Sequence, residues 1–149
     1  MASHDQKFES SIQIYTEGNN LFEEADKLFD EADELSNQED KISEEIDRVG
    51  GESDNLREEQ NELYRKYNLA VDEEKDGSIF LKTAEEIDPK LFQLESDSLK
   101  LRRSMREIGL KHSELRTKAR VIVINGAKLH AESRKVWLEG MIEWKSELV

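Results

Sequence analysis

The chain has 149 residues, and 35 acidic against 22 basic side chains give it a formal net charge of -13. Leu, Ile, Val and Phe supply 37 residues, which is more than a disordered chain carries but little for a globule with several buried layers. The absence of cysteine excludes a disulfide framework, a thiolate nucleophile and a Cys-ligated metal site. The length and the modest apolar content predict a single helical domain, residues 1–149. The lack of cysteine is compatible with a reducing, cytoplasmic setting, which we expect for this chain.

A seven-residue repeat of large aliphatic side chains runs through the first half of the chain. Taking Ile14 as heptad position d, this position is occupied by Ile14, Leu21, Leu28, Leu35, Ile42, Val49, Leu56, Leu63 and Ala70. The matching a positions are mostly small or polar, beginning with Gly18, Ala25 and Ala32. A repeat of this length is typical of a coiled coil and predicts a first helix over about 5–73. Gly50-Gly51 forms either a bend or a turn in it, and the bend is favoured because the heptad continues across both glycines.

The connecting segment, residues 71–90, contains two boundary signals. Asp76-Gly77 is typical of a turn, and Asp88-Pro89 has the form of a helix start with Asp88 as N-cap. We therefore predict a tip over residues 74–88, either without regular structure or with a short amphipathic helix over 78–87, and a second helix over about 89–147.

The second helix repeats the pattern of the first. Its d positions are large aliphatics from Ile87 to Val136, whereas its last a positions are Ala119, Gly126, Ser133 and Gly140. The β-branched run at 121–124 before Asn-Gly resembles a β-hairpin locally, but the heptad continues through it and favours helix.

These patterns predict an all-α fold, a long antiparallel coiled-coil hairpin. With the second helix starting at residue 89, the numbers of facing residues should sum to about 161, and large d residues should face small a residues. A slip by one heptad gives nearly the same pairs. The first helix is acidic and the second basic between residues 91 and 135, so we expect ion pairs between them.

Aromatic side chains off the seam concentrate where the two chain ends meet in such a hairpin. They predict a partner or oligomer interface made of Phe8, Tyr15, Phe22, Phe29, Trp137, Met141 and Trp144. Because a two-helix seam cannot bury so wide a stripe, we expect a homo-oligomer, with a dimer containing a four-helix section favoured.

Residues suited to catalysis are scarce. The three histidines lack the Glu-x-x-His spacing of di-iron bundles, and nucleotide-binding and hydrolase motifs are absent, so we expect no enzyme and no cofactor. One segment resembles the start of an EF-hand calcium loop, with ligand positions at Asp72, Glu74, Asp76 and Ser78. Its twelfth position is Thr83 and not the bidentate Glu, so an ordinary turn is favoured over calcium binding.

Three classes of function remain open at this point. The favoured one is a non-enzymatic structural or adaptor protein that associates through its aromatic-rich end. The alternatives are a holdase-like or secretion-type chaperone and a weak calcium- or RNA-binding module, the latter using the basic residues between Lys100 and Arg120. Nucleic acid is disfavoured by the acidic neighbouring helix. A membrane anchor is not expected, since no apolar run approaches eighteen residues.

Overall fold

The computed structural model describes residues 3–149, and nearly all of them belong to two α-helices. Helix α1 comprises His4–Asp72 and helix α2 comprises Ser78–Glu147, with residues 73–77 as the loop between them. The two helices pack against each other as a hairpin, and residues 3–149 contain no strand. The predicted all-α helical hairpin is therefore confirmed.

Both helices continue through the segments where the sequence suggested an interruption. Gly50 and Gly51 are helical, so the turn considered at this point is wrong and α1 has no break there. The run from Val121 to Gly126 is helical as well, which confirms the heptad over the local hairpin signal.

The second helix begins earlier than predicted. It starts at Ser78, so the separate tip over 74–88 and the start at Pro89 are both wrong. The carbonyl of Gly77 accepts hydrogen bonds from the N–H groups of Phe80 and Leu81, and Asp76 Oδ1 accepts one from Ser78 N–H at 3.0 Å. Asp76 and Gly77 thus cap α2, and the residues predicted to form a short tip helix are its first turns.

Pro89 is accommodated inside α2. A proline removes one helical hydrogen bond, here the one to the carbonyl of Glu85, which is an exposed residue. Contacts with α1 support the helix around this point, since Gln60 Nε2 donates to the carbonyl of Ala84 at 3.0 Å and to Asp88 Oδ1 at 2.6 Å. Tertiary contact thereby outweighs the local preference of Asp88-Pro89 to begin a helix.

The C-terminus of α1 ends in a Schellman-type cap. The N–H of Lys75 bonds to the carbonyl of Ala70 at 2.7 Å, and that of Glu74 bonds to Val71 at 3.1 Å. Glu74 has a φ of 55°, the left-handed conformation in which such caps usually have glycine. The chain therefore reverses within five residues.

The chain divides into two compact units. The terminal unit contains the described residues up to Leu35 together with Leu110–Val149, and the loop unit contains Ser36–Gly109. The single-domain organisation stays a prediction.

Small residues form the centre of the terminal unit. In each helix the buried residues of this unit are spaced by seven, and we call them the small-residue seam. They are Ser11, Gly18, Ala25 and Ala32 of α1 with Ala119, Gly126, Ser133 and Gly140 of α2. A Cβ atom added to Gly126 would lie 3.2 Å from the carbonyl oxygen of Gly18. The two backbones therefore approach closely, which only small side chains permit.

The predicted register is wrong by roughly two heptads. Partners across the hairpin have residue numbers that sum to between 144 and 152, as Ser11 with Ser133 and Arg57 with Glu95 show, and not to about 161. Small a positions also face each other, whereas we expected a to face d. The short loop is the cause, because it starts α2 eleven residues early. The sum for Ser11 and Ser133 is 144, which is 17 less than the predicted 161, and because 17 is not a whole number of heptads the classes of residue that face each other change as well.

The loop unit has a different interior. Its buried apolar residues are Val49, Ala70, Ala84 and Ile87, so two branched aliphatic side chains reach the centre of the seam. Arg57 also forms an ion pair with Glu95 across this unit at 2.7 Å. In the described residues neither helix has the length and apolar content needed to cross a bilayer.

Candidate association surface

The seven predicted interface residues all belong to the terminal unit, beside the small-residue seam. With two neighbours, Ile12 and His130, they form what we call the aromatic face: Phe8, Ile12, Tyr15, Phe22 and Phe29 of α1 with His130, Trp137, Met141 and Trp144 of α2. These residues occupy heptad positions e and b, adjacent to the buried a positions. Because the seam admits only small side chains, the large ones lie at its sides.

Ring contacts link the two helices across this face. The ring centroids of Phe8 and Trp137 are 4.4 Å apart. Tyr15 stacks on His130 at 4.4 Å with 13° between the planes, and Phe22 meets the same imidazole edge-on at 5.0 Å. His130 therefore lies between two aromatic side chains of α1, in geometries that favour ring pairs.

Much of the aromatic face is accessible. Ile12 is 61% exposed, Tyr15 50%, Trp137 43% and Trp144 40%, whereas Phe8, Phe22, Phe29 and Met141 are half-buried. A shallow groove of about 310 Å³ opens between the helices, lined by Ser11, Ile12, Tyr15, His130, Ser133, Arg134 and Trp137. A cluster of exposed aromatic and aliphatic side chains around a groove is typical of a protein interaction site.

A reciprocal pair of serines forms the floor of the groove. Ser11 Oγ donates to the carbonyl of Ser133 at 2.8 Å, and Ser133 Oγ donates to the carbonyl of Ser11 at 2.8 Å. The two hydroxyl oxygens are 3.0 Å apart, and both residues are buried. Each buried hydroxyl is thus satisfied by the other helix, which couples α1 to α2 directly under the exposed rings.

The opposite side of the seam has a second apolar surface, which we call the aliphatic stripe. It consists of half-buried d residues: Ile14, Leu21, Leu28 and Leu35 of α1 with Leu115, Ile122, Leu129 and Val136 of α2. No large side chain within residues 3–149 is fully buried. The terminal unit therefore has apolar surface on both sides of its seam, and the aromatic face contains the more exposed residues.

Ion pairs between the helices are fewer than the charges predicted. Arg116 Nη2 lies 3.1 Å from Asp33 Oδ1. In contrast, Arg103, Arg106 and Arg120 form no ion pair with any of residues 3–149. The expected pairing of the acidic and basic helices is therefore only partly present within one chain.

Other interhelical ion pairs run in the opposite sense, from a base of α1 to an acid of α2, as Arg57 with Glu95 and Lys7 with Glu143 do. The Lys7 ammonium donates a hydrogen bond to Glu143 and lies 4.0 Å from Glu139. The bond to Glu143 raises the pKa of Lys7, with a smaller Coulombic contribution from both carboxylates.

The acidic loop does not assemble a cation site. Asp72 ends α1, Ser78 begins α2, and the Asp76 carboxylate is turned onto the backbone of Ser78, which lowers its pKa. Within residues 3–149 no three His, Asp or Glu side chains come close enough together to hold a metal ion. The minor calcium alternative, with Asp72, Glu74, Asp76 and Ser78 as ligands, therefore has no geometric support.

Five residues that line the groove were not predicted to belong to the association surface. They are Ile12, His130, Arg134 and the serine pair, Ser11 and Ser133. Ser11 and Ser133 have a sequence signal, because they continue the small a positions toward the chain ends. His130 has only its heptad position e, which Tyr15 and Trp137 share, and Arg134 and Ile12 needed the observed register.

No family model, curated protein or solved structure matches the chain. The function proposed below therefore depends on the residues and contacts of the chain itself.

Proposed function

We propose that the protein is a non-enzymatic structural or adaptor protein that associates with itself and with protein partners through the aromatic face. The observation that supports it is the exposure of Ile12, Tyr15, Trp137 and Trp144 on one side of a hairpin whose seam has no room for them. Aromatic and Met side chains are enriched in the cores of protein interfaces. A dimer with a four-helix section in the terminal unit is the expected assembly, and the lack of cysteine supports a cytoplasmic location.

Sedimentation equilibrium of the full chain tests this proposal. Replacing Phe22 and Trp137 together by Ala should weaken self-association by about 100-fold or more, because truncated aromatic anchors typically cost at least 2 kcal/mol each. Phe92→Ala is the matched control, since Phe92 is the most exposed phenylalanine and lies in the loop unit at 74% exposure. Circular dichroism establishes that the variants keep their helices. Unchanged association in the double variant would show that the aromatic face is not the interface.

A second candidate, a holdase-like chaperone, is favoured by the width of the exposed apolar surface. Beyond the aromatic face, Leu138 is 55% and Ile142 66% exposed on the same helix. Such a protein should suppress aggregation of an unfolding client, and Trp137→Ala should reduce that suppression. Light scattering of a heated client protein measures it, and aggregation unaffected by an excess of this chain would remove the candidate.

A further inference from the structure

The terminal unit has charge of opposite sign on its two helices. Residues 9–35 of α1 contain nine acidic side chains and one lysine, whereas residues 110–135 of α2 contain seven basic and two acidic ones. Asp26, Arg120 and Arg134 are exposed and form no ion pair within residues 3–149. Most of this charge is therefore available to a partner.

The unpaired charges lie along the two edges of the aromatic face. Ile12 and Arg134 both line the groove, one from each helix. Asp26 follows Ile12 by two heptads and Arg120 precedes Arg134 by two heptads, so these four residues share heptad position b. The aromatic face thus has an acidic residue on its α1 edge and basic residues on its α2 edge.

Asp26 and Arg120 also lie at the same level along the terminal unit. Ser11 contacts Ser133, and Gly18 lies against Gly126, so the next layer places Ala25 opposite Ala119. Asp26 and Arg120 each follow the alanine of this layer in sequence. A second copy whose α2 lies on this α1, and whose α1 lies on this α2, would therefore bring opposite charges together at this level.

We infer that the occupant of the aromatic face is a second copy of this chain, running in the same direction, so that α1 of each copy lies on α2 of the other. This inference rests on the proposed function, because it names the partner and its orientation for that surface. A two-fold axis along the hairpin places acidic α1 on basic α2 twice and brings Asp26 of each copy near Arg120 of the other. The two grooves then cover each other, which shields Tyr15 and Trp137 of both copies from water.

The opposite orientation is disfavoured by the same charges. A two-fold axis across the hairpin would lay α1 of one copy on α1 of the other, with nine acidic residues against nine. Like charges placed together at an interface suppress that arrangement, and opposite charges select the competing one.

Charge reversal in the full chain tests the orientation. Asp26→Arg and Arg120→Asp, made singly, should each weaken dimerisation at least tenfold at low salt, because each creates two like-charge contacts. The double variant, Asp26→Arg with Arg120→Asp, should recover to within about threefold of the wild-type dissociation constant. Glu34→Arg is the matched control, since it reverses an exposed charge of α1 at heptad position c, away from the aromatic face. A double variant as weak as the singles, or singles equal to the control, would overturn the orientation.

A distance measurement gives an independent readout. The chain has no cysteine, so Glu147→Cys allows one nitroxide label per copy. In the inferred dimer the two labels lie within about 30 Å, because the labelled helices are diagonal neighbours in a bundle. Copies running in opposite directions would separate the labels by roughly 50 Å, the length of the α1 part of the terminal unit at 1.5 Å per residue.

The failures of the two proposals are distinguishable. If the Phe22 and Trp137 truncations dissociate the dimer while the charge reversals have no effect, the aromatic face is the association surface but the inferred orientation is wrong. If the chain is monomeric at all concentrations, a second copy is not the occupant and the inference is overturned. If the truncations leave a stable dimer, the proposed association surface itself is wrong.

Discussion

The glycines inside the helices have different roles in the two units. In the terminal unit, a Cβ atom added to Gly18 would lie 2.5 Å from the His130 ring, and one added to Gly140 would lie 2.9 Å from the Phe8 ring. In the loop unit, a Cβ atom added to Gly50 or Gly51 would have no neighbour within 4 Å. A heptad glycine in the terminal unit is therefore required for close approach, whereas Gly50 and Gly51 only weaken a helix.

The seams of the two units differ in the same way, with consequences for exposure. The loop unit buries Val49 and Ile87 at its centre, so part of its large aliphatic surface is removed from water within the unit. The terminal unit buries only Ser, Gly and Ala, and its rings remain beside the seam, where Tyr15 and Trp137 are accessible. The surface suited to association thus follows from how closely the two helices approach.

Gly18→Ala should have the largest effect on stability. The added methyl group meets the His130 ring at 2.5 Å and the Gly126 carbonyl oxygen at 3.2 Å, so the helices must separate or His130 must leave Tyr15. Overpacking of this kind typically costs about 1–3 kcal/mol, against a gain of about 1 kcal/mol in helix propensity. We expect a net loss of up to about 2 kcal/mol in the free energy of unfolding, measured by urea denaturation.

Gly50→Ala is the matched control in the loop unit. Because nothing lies within 4 Å of the added Cβ and the residue is exposed in mid-helix, we expect stabilisation by about 0.5–1 kcal/mol. The comparison between the units fails if Gly18→Ala is stabilising to the same degree.

Ser11→Ala tests the hydrogen bonds of the terminal seam. It removes a buried hydroxyl that donates to the Ser133 carbonyl at 2.8 Å, and we expect a loss of about 0.5–1.5 kcal/mol. Ser113→Ala is the control, because Ser113 is exposed in α2 of the same unit and should change stability by less than about 0.5 kcal/mol. Equal unfolding curves for both variants would mean that the buried serine pair contributes nothing.

Glu74→Gly should stabilise the loop. Glu74 adopts a φ of 55° at the end of α1, where glycine avoids the steric cost of a side chain, so we expect a gain of about 0.5–1 kcal/mol. Glu73→Gly, one residue earlier and without positive φ, should give no gain. Thermal melts of both variants decide this, and a destabilised Glu74→Gly would refute the capping role.

The smallest expected effect is a dependence on pH at the α2 cap. Hydrogen bonds from the backbone and hydroxyl of Ser78 lower the pKa of Asp76. Because the folded-state pKa lies below the unfolded value of about 3.9, the stabilisation is present above that value and is lost as pH falls through the folded-state pKa. Asp76→Ala should therefore lower Tm at pH 7, and the difference from wild type should shrink in strong acid. A difference that stays constant from pH 7 to pH 2 would show that the charge of Asp76 is not involved.

The seven-residue repeats by themselves determined that the chain forms two long helices. Continuity through Gly50-Gly51 and through Val121–Gly126 followed from the heptad, since a repeat that persists across a weak segment indicates that the same helix face is still needed for packing. The predicted interface residues also followed from heptad positions, and the structure brings Phe8 and Trp137 into ring contact.

The tertiary structure alone decided where α2 begins, which register the helices adopt and which residues face each other. Local signals favoured a start at Pro89, but the cap at Asp76 and Gly77 and the contacts of Gln60 keep the earlier turns helical. Registers that differ by whole heptads present the same residue classes, so periodicity cannot separate them. The short loop selects one of them, and in the register that results small a residues face each other, as the close approach of Gly18 to Gly126 shows.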